Sequence, residues 1–188
     1  AIAYFSGSDR GAEHYDTQAP LFGGTGLISR DAVFKPAAFA FQFLNRLYKY
    51  YIDRGERYII TTDGHGNYAM LCHNCKNLNY NYYYVEEDCV EKEHLAKYFD
   101  DNEPVSLRFQ LNGVEAGDYH IKKYRVNKRN GSILDLWQET DYETELSRND
   151  INYFRRVCAP KMQIMTVTSD QDRLPIDVTM MANEIMLV

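Results

Sequence analysis

LFGGTGLISRDAVFKPAAFAFQFLNRL, residues 21–47, is the stretch on which the reading of the whole chain turns. Three glycines, Gly23, Gly24 and Gly26, make a turn that leads into a short apolar run. The pair Lys35-Pro36 follows, and proline suits the first turn of a helix because its missing N–H has no partner there anyway. The spacing predicts a helix from Pro36 to about Asp53, with Gly55 as its stop. Phe39, Phe43, Leu47 and Tyr51 form one apolar stripe, and Phe41, Leu44 and Tyr48 form a second. Only Gln42, Asn45, Arg46 and Lys49 interrupt them. A helix apolar on so many sides must be covered on more than one face. Little stands before it to do so. The fold therefore wraps back around it, or the chain is the tail of something larger.

Outward from that stretch, composition narrows the classes. The 188 residues suffice for one domain with its own core, or one domain plus a fragment. With 45% hydrophobic residues, 16 tyrosines and 5 prolines the chain reads as globular. A net charge of −6 argues against a nucleic-acid surface, which needs clustered Lys and Arg. No apolar run is long enough for a membrane span. The opening AIAYFSGSD has neither a basic segment nor a long apolar one, so it is not a signal peptide. It also lacks a methionine and reads as a strand entered in mid-course, which suggests truncation. Cys72, Cys75, Cys89 and Cys158 are too few and too irregular for a disulfide framework. They read as reduced thiols of a cytoplasmic protein.

Beyond residue 55 the character changes. Strands are expected at 2–5, 27–28, 58–62, 68–73, 105–111, 119–126, 162–168, 176–181 and 185–188. Turns fall at 63–67 and 113–118, and 76–84 reads as a loop rich in Asn and Tyr. Short helices are expected at 91–99 and 133–139, and from the capping box Ser147–Asp150 to Val157. Short strands at regular spacing indicate a mainly β fold, a β-sandwich decorated by a few short helices. The boundary is placed at 54/55, giving segments 1–54 and 55–188.

The motifs carry little chemistry. Cys72-His73-Asn74-Cys75 has no second ligand pair at zinc spacing and ends a strand rather than opening a helix, so packing thiols are the favoured reading. The glycine turn lacks the Lys and Ser/Thr of a phosphate loop; it is read as a turn that lets backbones approach closely. Adjacent acids Glu86, Glu87 and Asp88 cannot flank a sugar from two sides and read as a solvated loop. The histidines show no metal spacing, and neither a metal nor a cofactor is expected. Tyrosines within 80–84 could stack on sugars, but packing at the sandwich edge is favoured. Asp9 and Glu13 differ. They follow a strand at once, in a loop with Ser6, Ser8 and His14, and acids at strand C-termini line the sites of (β/α)₈ barrels.

Taken together, AYFSGSD, PLFGGTGLIS and KPAAFAFQFLNRL resemble the last strand, loop and helix of the catalytic barrel in glycoside hydrolase family 39, the β-xylosidase family. ITTDGHGNYAMLCHN and the ending NEIMLV resemble the β-sandwich that follows that barrel. LCHN, YFDDNEP, LSRNDI and APKM are most similar to a subgroup fused behind an AraC-type helix-turn-helix regulator. The resemblance implies a β-sandwich preceded by the last strand and helix of a (β/α)₈ barrel. It implies a retaining enzyme whose two glutamates lie on the fourth and seventh strands, neither of which this chain holds, so no residue here is assigned a catalytic role. What it carries over is Ser8 and Asp9, matching the acidic post-strand pair, and Glu13 near the glycone pocket. Where the family usually has a Trp-containing run, this chain has Ala3-Tyr4-Phe5-Ser6. The implied parent is a cytoplasmic enzyme on short xylo-oligosaccharides, with possible homo-oligomer contacts and neither nucleic acid nor membrane bound by this chain. The alternative parent is a sugar-sensing AraC-type regulator; a free-standing carbohydrate-binding sandwich is the third reading.

Overall fold

A computed structural model of the chain describes residues 4, 6–9, 21, 24–86, 89–169 and 172–188. Helix α1 (Pro36–Leu44) opens on Pro36 as expected, but it is only nine residues long. The expected continuation to about Asp53 is corrected: Tyr50–Gly55 is strand β1. The cause is local. Tyr50, Tyr51 and Ile52 favour pleated backbone, and Glu56-Arg57 is a tight turn that pairs Gly55 with Tyr58 of strand β2 (Tyr58–Thr62). A side chain at Gly55 would put its Cβ 2.4 Å from the Tyr58 ring, so anything larger than glycine would force that ring to move. Gly55 therefore ends a strand, not a helix.

The hairpin continues into β3 (Tyr68–His73). Asp63 closes the turn between them by accepting from the N–H groups of His65 and Asn67, at 2.8 and 3.2 Å. Strands β4 (Val105–Asn112), β5 (Gly117–Val126), β6 (Lys161–Ser169), β7 (Arg173–Met180) and β8 (Ile185–Leu187) follow. All lie within a few residues of their sequence-read positions. The expected strand at 2–5 lies outside the described residues except for Tyr4. The brief strand at 27–28 is a pair of bridges, from Ile28 to Ser8 and to Phe34.

Six strands form one antiparallel sheet in the order β1-β2-β3-β8-β5-β6, and β4 and β7 form a second, two-stranded sheet. The middle of the large sheet, above all β3 and β8, is apolar on both faces, whereas its edge strands β1 and β6 are largely exposed. Its even positions on β2 and β3, Ile60, Met70 and Cys72, meet Leu111, Leu174, Ile176, Val178 and Met180 of the small sheet. The sequence alternation of β7 places those side chains inward at every second residue. Tyr58 and Phe109 meet edge-on across the gap, ring centres 4.8 Å apart.

The opposite face, Leu71, Val126 and Leu187, is covered by helices. Phe39 and Phe43 of α1, Trp137 of α3 (Leu134–Gln138) and Phe154 of α4 (Arg148–Val157) complete that core. Helix α4 starts at the predicted capping box: Ser147 Oγ accepts from Asp150 N, and the Asp150 carboxylate accepts from Ser147 N at 2.8 Å. Only the Phe39/Phe43 stripe of α1 is covered. Leu44 and Tyr48 of the second stripe are exposed, and Phe41 touches Tyr4 edge-on. The architecture is a β-sandwich with a helical layer on the outer face of its larger sheet.

Phe154 and Trp137, the one tryptophan of the chain, share this helical core. Phe154→Ala should lower stability by about 3–5 kcal/mol, the cost of emptying a buried aromatic site. Urea unfolding followed by Trp137 fluorescence reads it as a lower midpoint at unchanged slope.

Candidate functional site

The segment 6–9 runs parallel to 27–28. Leu27 N donates to Ser6 O, Ile28 N to Gly7 O, and Asp9 N to Ile28 O, at 3.1–3.3 Å. This ladder places Ser8 in a bridge with Ile28 and turns Asp9 inward, where it is only 4% exposed. One carboxylate oxygen of Asp9 accepts from Gly26 N at 2.8 Å. Lys35 Nζ, one residue before α1, lies 2.7 Å from each carboxylate oxygen and 3.2 Å from Gly24 O. The glycines are the condition for this approach. A Cβ on Gly24 would stand 2.5 Å from Asp9 Oδ1, and one on Gly26 would stand 2.5 Å from Asp9 N. Gly24 also takes φ +69°, which disfavours any side chain. The glycine turn exists to admit a carboxylate.

The Asp9 carboxylate is therefore held by an ammonium and an amide, and its side chain is 1% exposed. In this arrangement it fixes the loop ahead of α1 in place. Ser8 sits on the ladder itself. Glu13, the third residue that the resemblance carries over, lies outside the described residues.

Beside this turn is a cleft of about 320 Å³ with Gly24, Ser29, Phe34, Lys35, Ser132 and Tyr82 among its lining residues. Tyr82 comes from the one-turn helix α2 (Tyr80–Tyr83). The loop read over 76–84 thus contains a helical turn, capped by the Asn79 side chain at Asn81 N. Its tyrosines do not pack at the sandwich edge. Tyr80, Tyr83 and Tyr84 are more than 70% exposed, and the Tyr80 and Tyr84 rings lie 4.3 Å apart. Asn79 also donates to the carbonyls of Lys97 and Phe99, tying α2 to the 3₁₀ helix Lys92–Tyr98. That helix is the one expected at 91–99. Glu86 is exposed; Glu87 and Asp88 lie outside the described residues.

Cys72 packs inside the sandwich, and burial pushes its thiol up to about 12. Burial raises the Cys75 thiol as well, and that of Cys158, to about 11. Neither C-x-x-C sulfur is poised as a nucleophile, since a reactive thiol needs a depressed pKa. Among the described residues no three His, Cys, Asp or Glu side chains converge as metal ligands do.

Asn74, inside the C-x-x-C, is a residue that motif reading missed. Its side chain, fully buried, donates to the carbonyls of Glu103 and Met181 at 3.0 Å and accepts from Arg57 at 3.0 Å. Its backbone bonds Glu184 O and Asn183 N. Glu184 is equally buried; it accepts from Asn127 and from Met181 N at 3.2 Å, with Arg125 Nε 3.3 Å away. Nothing in the local sequence marks these two, because their partners are far along the chain.

Comparison with known proteins bears on the fold. No family model matches the chain. A β-xylosidase of Caulobacter crescentus, described as monomeric, superposes over 100% of this chain and 36% of its own, at 19% identity and a TM-score of 0.79. A GH39 enzyme of Xanthomonas axonopodis pv. citri superposes over 90% of this chain and 33% of its own, at 22% identity and a TM-score of 0.72. These likenesses show the fold: a mainly β, two-sheet unit of the kind found in those enzymes. Uncharacterized HTH-type transcriptional regulators of Staphylococcus aureus are 27% identical over 82 residues, 44% of this chain. That match spans 11% of the regulators' length, and the chain spans about a third of the superposed enzymes.

Two outcomes are expected. Lys35→Met leaves the Asp9 carboxylate buried without its cation and should cost about 3–5 kcal/mol in chemical denaturation; adding Asp9→Leu should recover much of it. In thiol titration at pH 8, Cys72 and Cys158 should stay silent until denaturant is added. Their raised folded-state values keep them protonated there, and thiolate appears only as pH climbs toward 11 and 12.

Proposed function

We propose that the chain is the C-terminal accessory region of a β-xylosidase-like glycoside hydrolase, a structural support for a catalytic barrel and inactive alone. The observation that carries this reading is the superposition of the whole chain on part of a much longer β-xylosidase. The half-covered helix supports it. Phe39 and Phe43 of α1 pack on the sandwich, while Leu44 and Tyr48 are left exposed for a second cover. In this reading residues 1–54 are the last β/α unit of the barrel and 55–188 the accessory sandwich, with β1 as the strand that splices one to the other. The parent acts on xylo-oligosaccharides in the cytoplasm, and its glutamates lie outside this chain. Retaining hydrolysis needs two carboxyl groups about 5 Å apart across the sugar, and Asp9 is engaged by Lys35 and Gly26. Ser8, Asp9 and Glu13 then serve the pocket from its rim, with Asp9 as a positioning residue that sets the loop after the eighth strand.

A second reading is favoured by a separate observation, the match of 82 residues to HTH-type regulators. In it the parent is an AraC-type regulator whose hydrolase-like region senses a sugar.

The purified chain should leave an aryl β-xyloside intact, and the longer gene product that contains it should hydrolyse it. Hydrolysis by the chain alone overturns the accessory role. A longer product that binds DNA in a xylo-oligosaccharide-dependent way and does not hydrolyse replaces the enzyme reading by the regulator reading.

A further inference from the structure

The described strands leave four open edges: β1 and β6 flank the six-stranded sheet, and β4 and β7 each keep one free side. An open edge offers unpaired N–H and C=O groups to any other strand, and proteins blunt it with charges, proline or a bulge. Three of the four are blunted. Strand β1 carries a bulge between Tyr51 and Asp53, with Arg54 beside it. Strand β4 has Arg108 near its middle, and β7 has Pro175 and Asp177, whose carbonyl accepts from Lys123 Nζ at 2.6 Å. Strand β6 has none of these. Its residues 162–169, MQIMTVTS, hold no charge, proline or glycine and pair with β5 without a register shift. Met162 and Ile164 are more than half exposed.

The ladder fixes which groups of β6 look outward. Hydrogen-bonded and non-bonded pairs alternate along an antiparallel ladder. Met70 and Val188 exchange both backbone bonds, at 2.8 and 2.9 Å, so Leu187 turns the other way, to Tyr124. Arg125, Lys123, Ile121 and Tyr119 then face β6 and bond Lys161, Gln163, Met165 and Val167. Met162, Ile164, Thr166 and Thr168 turn their N–H and C=O to the open side. Among the described residues no strand pairs with them there. Charge is graded along that edge. Asp118 stands behind Thr168 and accepts from its hydroxyl at 2.7 Å. His120 stands behind Thr166, Lys122 behind Ile164, and Lys161 opens the strand.

We propose that β6 pairs with β6 of a second copy of this chain, antiparallel about a twofold axis at Met165. In that register Met162 exchanges backbone bonds with Thr168 of the other copy, and Ile164 with Thr166. All four outward residues of each strand are then used. Met165 meets its own copy as a non-bonded pair, where side chains stand closest. Apolar and β-branched partners face one another across the seam, and no like charges do. The Lys161 and Lys122 end of one copy lies beside the Asp118 end of the other, whereas parallel pairing would set like ends together. A twofold uses the same patch on both chains and closes on itself, so two six-stranded sheets become one. The pairing is independent of which parent holds the chain.

The test is sedimentation of the 188-residue chain between about 1 µM and about 1 mM. The mass should rise from one chain to two and stop there. Amide exchange should slow by about tenfold at Met162, Ile164, Thr166 and Thr168 in the concentrated sample, and not along β1. Ile164→Lys should weaken dimerisation by about tenfold or more, with the urea midpoint of the dilute chain unchanged. Ile164→Pro, which removes an outward N–H and no ladder bond, should do the same. A chain that stays single at about 1 mM overturns the proposal. So does a dimer indifferent to Ile164→Lys, or a mass that keeps growing, which means open stacking. A longer gene product that is single while those four amides already exchange slowly overturns it too, because the edge is then filled from within the parent.

Discussion

One sheet with two apolar faces is the constraint from which the rest of this structure follows. Strand β3 makes it plain: Ala69, Met70, Leu71 and Cys72 are all buried, so neither side of the strand can face water. A sheet of that kind must be packed on both sides. The β4–β7 pair supplies one cover and the helices supply the other. The two covers differ in kind because their sequences differ in period. Strand β7 alternates strictly, whereas Phe39 and Phe43 recur at the fourfold spacing of a helix.

The helical cover depends in turn on how α1 is delivered. Asp9 and Lys35 clamp the turn ahead of it, and Arg155 of α4 donates to Asp31 O from the far side, at 2.8 and 3.0 Å. Cys158 donates to Phe34 O as well. Segments far apart in sequence thus converge on the ten residues before the helix. A buried ion pair is a weak source of stability but a strong selector of geometry when one partner without the other is costly. Here it specifies how residues 24–35 lead into α1.

Much of this was legible in residue order. Strands β2 and β3, the α4 capping box and the alternation of β4 are local signals, and each stands where the sequence puts it. The end of α1 was not. The apolar stripe runs on through Leu47 to Tyr51, and spacing cannot tell a continuing helix from a strand that begins with aromatic residues; the pairing of β1 with β2 decides it. The glycine turn was read as a place of close approach, but its guest, Asp9, sits fifteen residues upstream of Gly24 and could not be named. The buried Asn74 and Glu184 were invisible for the same reason: a polar residue announces burial only through partners that folding brings to it.

The place of β8 in the sheet has a consequence for how the protein is made. The hairpins β1-β2-β3 are local and can form as they emerge from the ribosome, whereas β5 and β6 are separated in sequence by α3 and α4 and pair across them. The hairpins and that pair are joined to one another through β8 alone, and β8 is translated after all of them. Until residues 185–187 appear, β3 and β5 are two open edges with apolar faces, the kind of surface that pairs with the wrong neighbour. The order of synthesis therefore leaves the centre of the sheet for last, and closure of the fold waits on its shortest strand.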